Sequence, residues 1–182
     1  MAFLVDKNLL AETTTDGKVA VLPTDTVYGL VCSALQPEVV KRMYEIKRRA
    51  GKPGTIIAAN AEQLISMGFD KEEVARAEKF WPDAVSVILE AGPELAYLHM
   101  GLESLAVRIP KPEWLREILE QTGPLATTSC NLPGEPTVTT IDQAKALFSS
   151  QVDLYVDGGD LSGNAPSKII QLLERDNFKQ IR

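Results

Sequence analysis

From Lys18 onward, short apolar runs alternate with stretches in which apolar residues recur at helical spacing, and this alternation restricts the chain to an α/β fold. Strand-like runs fall at Lys18–Pro23, Thr55–Ala59, Val85–Leu89, Ser104–Ile109, Leu125–Thr128, Val152–Val156 and Ser167–Leu173. Between them, Val39, Val40, Met43, Tyr44 and Ile46 predict a helix that starts at Pro37. Residues 61–80 predict a helical pair broken near Gly68, with Asp70 capping the second member, and residues 112–121 and 140–148 predict two more helices. Thr24 to Leu30 reads as a polar loop closed by Gly29. With 182 residues and no repeat or low-complexity stretch, one core suffices, so a single domain over residues 1–182 is expected, built on a mixed sheet with flanking helices.

Charge narrows the function. A formal net charge of -6 argues against a protein that holds nucleic acid by a broad basic face, since that binding depends on Lys and Arg displacing counterions. The basic residues Lys47, Arg48, Arg49 and Lys52 nonetheless cluster, at what reads as an exposed helix end. Met1 to Leu10 has the pattern of neither a signal peptide nor a membrane span, so a cytoplasmic protein without membrane partners is expected. Cys32 and Cys130 form no CxxC pair, and the one histidine, His99, has no second ligand beside it, so no metal site is expected and His99 reads as structural or incidental.

Several apolar runs end in polar groups: Thr24 to Tyr28, Ser129 to Asn131 and Ala165 to Ser167. Strand ends are where α/β sheets bind ligands. Arg108, set among Leu105, Val107 and Ile109, needs either a structural ion-pair partner or an anionic ligand. HExxH, GxSxG, GxxxxGK[ST] and GxGxxG are all absent. A set of Lys, Arg, Ser, Thr and Asn suits chemistry in which the protein positions anions and a nucleotide supplies the leaving group. The residues by themselves lead to an anion- or nucleotide-binding α/β enzyme.

Five of these segments, in order, resemble the YrdC/TsaC family of threonylcarbamoyl-AMP synthases. Pro-Thr-Asp-Thr-Val-Tyr-Gly-Leu at 23–30 is similar to that family's opening motif, Lys47-Arg48-Arg49 to its K-x-R, Ser104 to Arg108 to its arginine-ended strand, Ser129-Cys130-Asn131 to its S-x-N, and Pro166-Ser167 to its late turn. The resemblance implies a YrdC-like fold, twisted around a central positively charged cavity, of the single-domain type. It implies that Arg49 contacts ATP phosphates with Lys47 nearby, both as catalytic residues, and that Ser104, Ser129, Asn131 and Thr137 meet the nucleotide. Thr26, Arg108 and Ser167 would grip threonine, with Arg108 on its carboxylate. The implied substrates are L-threonine, bicarbonate and ATP, with Mg²⁺ carried on ATP, and the implied product is threonylcarbamoyl-AMP for tRNA t6A37 modification by downstream transferase partners. Departures from the family pattern are Arg48 where Gly is frequent, Pro53 where many members have Asn, Cys130 where Ala is usual, which reads as a reactive thiol near ligand, and Lys168 after Ser167. The chain also ends at Arg182 without the linker and second domain of longer members, which implies a more open site. Rival readings are a YciO-like member without synthase activity, a weak RNA-binding module, and a carbamoyl-AMP-forming domain of the HypF kind.

Overall fold

A computed structural model describes residues 12, 14, 16–49, 51–173 and 177–182. Met1 to Leu10, and with them the expectation about a leader or span, lie outside the described residues. Nine strands form one mixed sheet among the described residues: β1 (Ala20–Pro23), β2 (Tyr28–Ser33), β3 (Thr55–Ile57), β4 (Val85–Glu90), β5 (Ser104–Arg108), β6 (Leu125–Ser129), β7 (Leu154–Tyr155), β8 (Lys168–Leu172) and β9 (Phe178–Gln180). Their order is β7-β1-β2-β6-β3-β5-β4-β8-β9. The pairs β1–β7, β3–β5 and β4–β8 are parallel and the rest antiparallel. No described helix is long and apolar enough to cross a membrane.

Both faces of the central strands are covered, which explains why they read as continuous apolar runs. Alternate residues divide between two cores. Val21, Leu30, Ile56 and Ala126 pack on one face, under helices α1 (Pro37–Ile46), α2 (Ala61–Ser66), α3 (Lys71–Ala77) and α6 (Ile141–Phe148). Ala20, Leu22, Val31, Ile57 and Leu125 pack on the other, against Leu115, Ile118 and Leu119 of α5 (Glu113–Thr122). Asp70 caps α3 by accepting from the Glu73 amide at 2.9 Å, and Pro37 opens α1, both as the sequence predicts.

One expectation fails here. The polar loop is only Thr24 to Val27, and Tyr28 to Ser33 is a strand between β1 and β6. Gly29 disguised it, because glycine normally reads as a breaker. In this strand it is required by close approach, since a Cβ there would stand 2.8 Å from the Thr127 hydroxyl oxygen. Short α4 (Ala96–His99) and edge strand β9 were also missed. Neither is long enough to show a period.

Arg48 follows the C-cap Lys47 with φ 50, the left-handed conformation in which glycine carries no steric penalty. This explains why a glycine is frequent at this place in the resembling family. Arg48→Gly is expected to raise the unfolding free energy by about 0.5–1 kcal/mol, measured by urea titration with unchanged m-value.

Candidate functional site

The loop between β1 and β2 is shaped by its own hydroxyls. Thr24 Oγ1 donates to Val27 O at 2.8 Å and lies 2.9 Å from Thr26 Oγ1, so the Thr26 hydroxyl is the donor of that second bond. Its lone pairs remain to accept from a ligand. Facing this loop, Ser129 at the end of β6 donates to Asn131 Oδ1 at 2.8 Å, and Asn131 Nδ2 donates to Glu135 O at 2.6 Å. Asn131 is thus held from both sides of its amide.

Between these loops lies a cavity of about 630 Å³. Eight of the nine candidate side chains line it: Thr26, Arg49, Ser104, Arg108, Ser129, Asn131, Thr137 and Ser167. They come from segments that span most of the chain, and the sheet order explains the meeting. β2, β6, β3 and β5 are consecutive neighbours, so the ends that carry Ser129 and the 24–27 loop, the residues before β3, and alternate positions Ser104, Ala106 and Arg108 of β5 face one space. The walls carry four cations, Arg49, Lys52, Arg108 and Arg182, and no carboxylate among the described residues.

Arg49 is positioned by its own loop. Its guanidinium donates to Thr128 Oγ1 and Pro53 O, each at 2.6 Å, and to Lys52 O. Three of five N–H donors are used, which leaves two for an anion. Pro53 therefore contributes its carbonyl to the site.

Lys47 corrects the expectation of an exposed basic end. It is only 4% exposed and does not reach the cavity wall; its ammonium donates to Ser129 O at 2.6 Å and to both Asn131 O and Asn131 Oδ1. It fastens the Ser129–Asn131 loop from behind. Burial, and secondarily Arg49, lower its pKa to about 8.

Arg108 is 3% exposed and has the structural ion-pair partner that the sequence left as one of two alternatives. It forms an ion pair with Asp25 at 2.9 Å and donates to Ser86 Oγ at 3.2 Å, while still lining the cavity. Ser86 Oγ in turn bonds Ser167 Oγ at 3.1 Å, so the cation is tied to the late turn. Asp25 Oδ2 and Arg108 Nε have no partner although both are buried.

Cys130 also departs from expectation. It is fully buried, and burial pushes its thiol up to about 12, so it is inert rather than reactive. Neither it nor Cys32 should react with iodoacetamide in the folded protein at pH 8, whereas both should in urea. Mass spectrometry reads the outcome. Sequence reading missed Arg182, whose guanidinium donates to Ser167 O, and missed Asp25 as a partner. Asp25 was visible inside the opening motif. Arg182 reaches the cavity because β9, just before it, pairs antiparallel with β8, just after Ser167.

A mixed sheet whose strand ends converge on one polar cavity lined by Arg49, Lys52, Arg108 and Arg182 places the chain among α/β domains. The chain belongs to the Sua5/YciO/YrdC family, whose sequence model, described as telomere recombination, matches residues 12–182. Threonylcarbamoyl-AMP synthase of Pyrococcus abyssi is 34% identical over 87% of this chain, which spans only 48% of that relative. The enzyme of the same name from Pseudoalteromonas translucida is 34% identical over 90% of this chain and 91% of its own length. Among solved structures, P. abyssi Sua5 complexed with L-threonine matches with TM-score 0.84 at 30% identity, over 97% of this chain and 53% of that one. E. coli YciO matches with TM-score 0.81 at 26% identity, over 97% and 87%.

Proposed function

We propose that this chain is an L-threonylcarbamoyladenylate synthase, a nucleotidyltransferase of the cytoplasm. Its substrates are L-threonine, bicarbonate or CO₂, and ATP. Its products are threonylcarbamoyl-AMP and pyrophosphate, and a downstream transferase then moves the threonylcarbamoyl group to tRNA. The observation that carries the reading is the convergence of eight candidate site residues, seven of them from the five motif segments, on one cavity lined by four cations. Relatives named for this activity across nearly their whole length, and a Sua5 structure with L-threonine, support it.

In this reading Arg108, Ser167 and Thr26 receive threonine, with the guanidinium on its carboxylate. Arg49 turns its two free donors to the ATP phosphates, and Ser104, Ser129, Asn131 and Thr137 border the nucleotide. The threonine amine adds to CO₂, the resulting carbamate oxygen attacks the α-phosphorus, and pyrophosphate leaves. The cations offset the repulsion of assembling several anions and the charge that develops on the leaving group. Mg²⁺ would enter with ATP, and the charge it supplies there would add to that of Arg49 and Lys52 on the wall.

The test is incubation with ATP, Mg²⁺, bicarbonate and L-threonine, with pyrophosphate release and product mass as readouts. Release must depend on threonine. A YciO-like member without synthase activity, which the match to E. coli YciO keeps in view, would show none. Arg49→Ala is expected to lower turnover by about 10²–10³-fold, at a stability cost of about 1 kcal/mol from its lost hydrogen bonds. Wild-type turnover in that variant at limiting ATP would remove Arg49 from the phosphates.

A further inference from the structure

We propose that His99 is a positioning residue for the nucleotide side of the cavity: its neutral imidazole holds the Met100–Glu103 turn in the form that presents Leu102 and Ser104 to the ligand. The proposal rests on the reading of Ser104 as a nucleotide contact. His99 closes α4 and is 4% exposed. Its Nδ1 accepts two backbone amides, Gly101 N at 3.1 Å and Glu103 N at 3.2 Å. A nitrogen that accepts carries no proton, so the proton is on Nε2, which donates to Gly92 O at 3.2 Å. Every polar atom of the ring is used, and each bond ends on backbone.

The turn needs this brace. Met100, Gly101 and Glu103 have φ values of 53, 88 and 53, and left-handed backbone at a non-glycine residue costs about 1–2 kcal/mol. Such a conformation persists only where its surroundings over-determine it. Here the imidazole draws the Gly101 and Glu103 amides toward one atom, while the His99 carbonyl receives Leu102 N and the Glu103 carbonyl receives Ala91 N, each at 3.0 Å. The chain then enters β5 at Ser104. Leu102 and Ser104 line the main cavity and, with Ile88, also border a second cavity whose charged residues are Asp70, Glu73, Glu90, Glu103 and the single cation Arg76. The turn thus sits where a space lined by four cations meets one lined mostly by carboxylates, and a relaxed turn would shift Ser104 from its place on the first.

The chemistry of the two amide side chains supplies the test. Asparagine can place its carbonyl oxygen where Nδ1 stands, whereas glutamine can place its amide nitrogen near Nε2 but leaves the two turn amides without an acceptor. Dissociation constants for ATP and for threonine are measured by calorimetry on the whole protein, wild type, His99→Asn and His99→Gln. His99→Gln is expected to weaken ATP by about tenfold, His99→Asn to stay within about threefold, and threonine affinity to hold in both. His99 is the only histidine, so its ring ¹⁵N signals are unambiguous and should report the Nε2–H tautomer. ATP affinity unmoved by His99→Gln, equal losses in the two variants, equal weakening of threonine and ATP, or an Nδ1–H tautomer each overturn the proposal. A folded wild type that binds no ATP overturns the reading of the cavity along with it.

Discussion

Replacing Lys47 with methionine is expected to reduce synthesis by about 10²-fold, although the ammonium does not touch the cavity. The reason lies in its three bonds to Ser129 O, Asn131 O and Asn131 Oδ1, which match three N–H donors to three acceptors. Methionine fills the volume of the stem but orphans those acceptors, at about 1–3 kcal/mol of stability, and frees the loop that carries Ser129 and Asn131. Arginine should not rescue, because its planar fork cannot aim three donors at one loop from this depth. A pH dependence follows from the pKa of about 8. The unfolded lysine holds its proton up to the ordinary 10.5, so between about 8 and 10.5 the unfolded state binds more protons and the contribution of Lys47 to stability rises with pH. Activity moves the opposite way, because the neutral amine has one donor too few. Relative to Lys47→Met, the wild type should gain stability over that window while its turnover declines. Parallel urea titrations and pyrophosphate assays from pH 7 to 10 decide it. A variant with wild-type turnover would end the positioning role.

What could be read from the sequence was local. Each strand end that empties into Thr, Ser or Asn is visible in a few consecutive residues, and so were the class, the flanking helices and eight of the residues that meet at the cavity. What could not be read was burial and pairing decided by distant segments. Lys47 sits in an amphipathic helix whose final turn looks solvated until the Ser129–Asn131 loop, more than eighty residues later, folds over it. His99 looks solitary because its partners are backbone groups, and backbone carries no sequence signature. β2 was hidden by Gly29, read for its conformational freedom when it stands there for its size. In each case the missing term was a tertiary neighbour, which overrides propensity and exposure guesses alike.

Arg108→Met is expected to cost about 3–5 kcal/mol of stability, because it leaves the Asp25 carboxylate buried without its partner. The two halves of this pair should not be equivalent. Burial raises the Asp25 carboxyl above its ordinary 3.8 despite the attraction of Arg108, and burial also lowers Arg108, so desolvation outweighs pairing. A raised carboxyl means that the folded state holds its proton more firmly. The contribution of Asp25 is therefore greatest below 3.8 and falls as pH rises through the elevated value. Asp25→Asn keeps the shape and an acceptor for Arg108 but leaves the buried guanidinium without a counter-charge, so it should cost about 1–3 kcal/mol, and combined with Arg108→Met it should recover part of the loss, a coupling of about 1–3 kcal/mol. The damage from Arg108→Met alone should be smaller near pH 4 than at pH 7, since the stranded carboxylate can then take up a proton. Substrate binding separates the remaining role. Arg108→Lys keeps the charge but loses the planar fork, so the threonine KM should rise far more than the ATP KM. Melting curves of the four-member cycle with both KM values settle the matter. A double variant no more stable than Arg108→Met would show that the pair does not govern this part of the core, and a threonine KM unmoved by Arg108→Lys would remove Arg108 from the substrate whatever happens to stability.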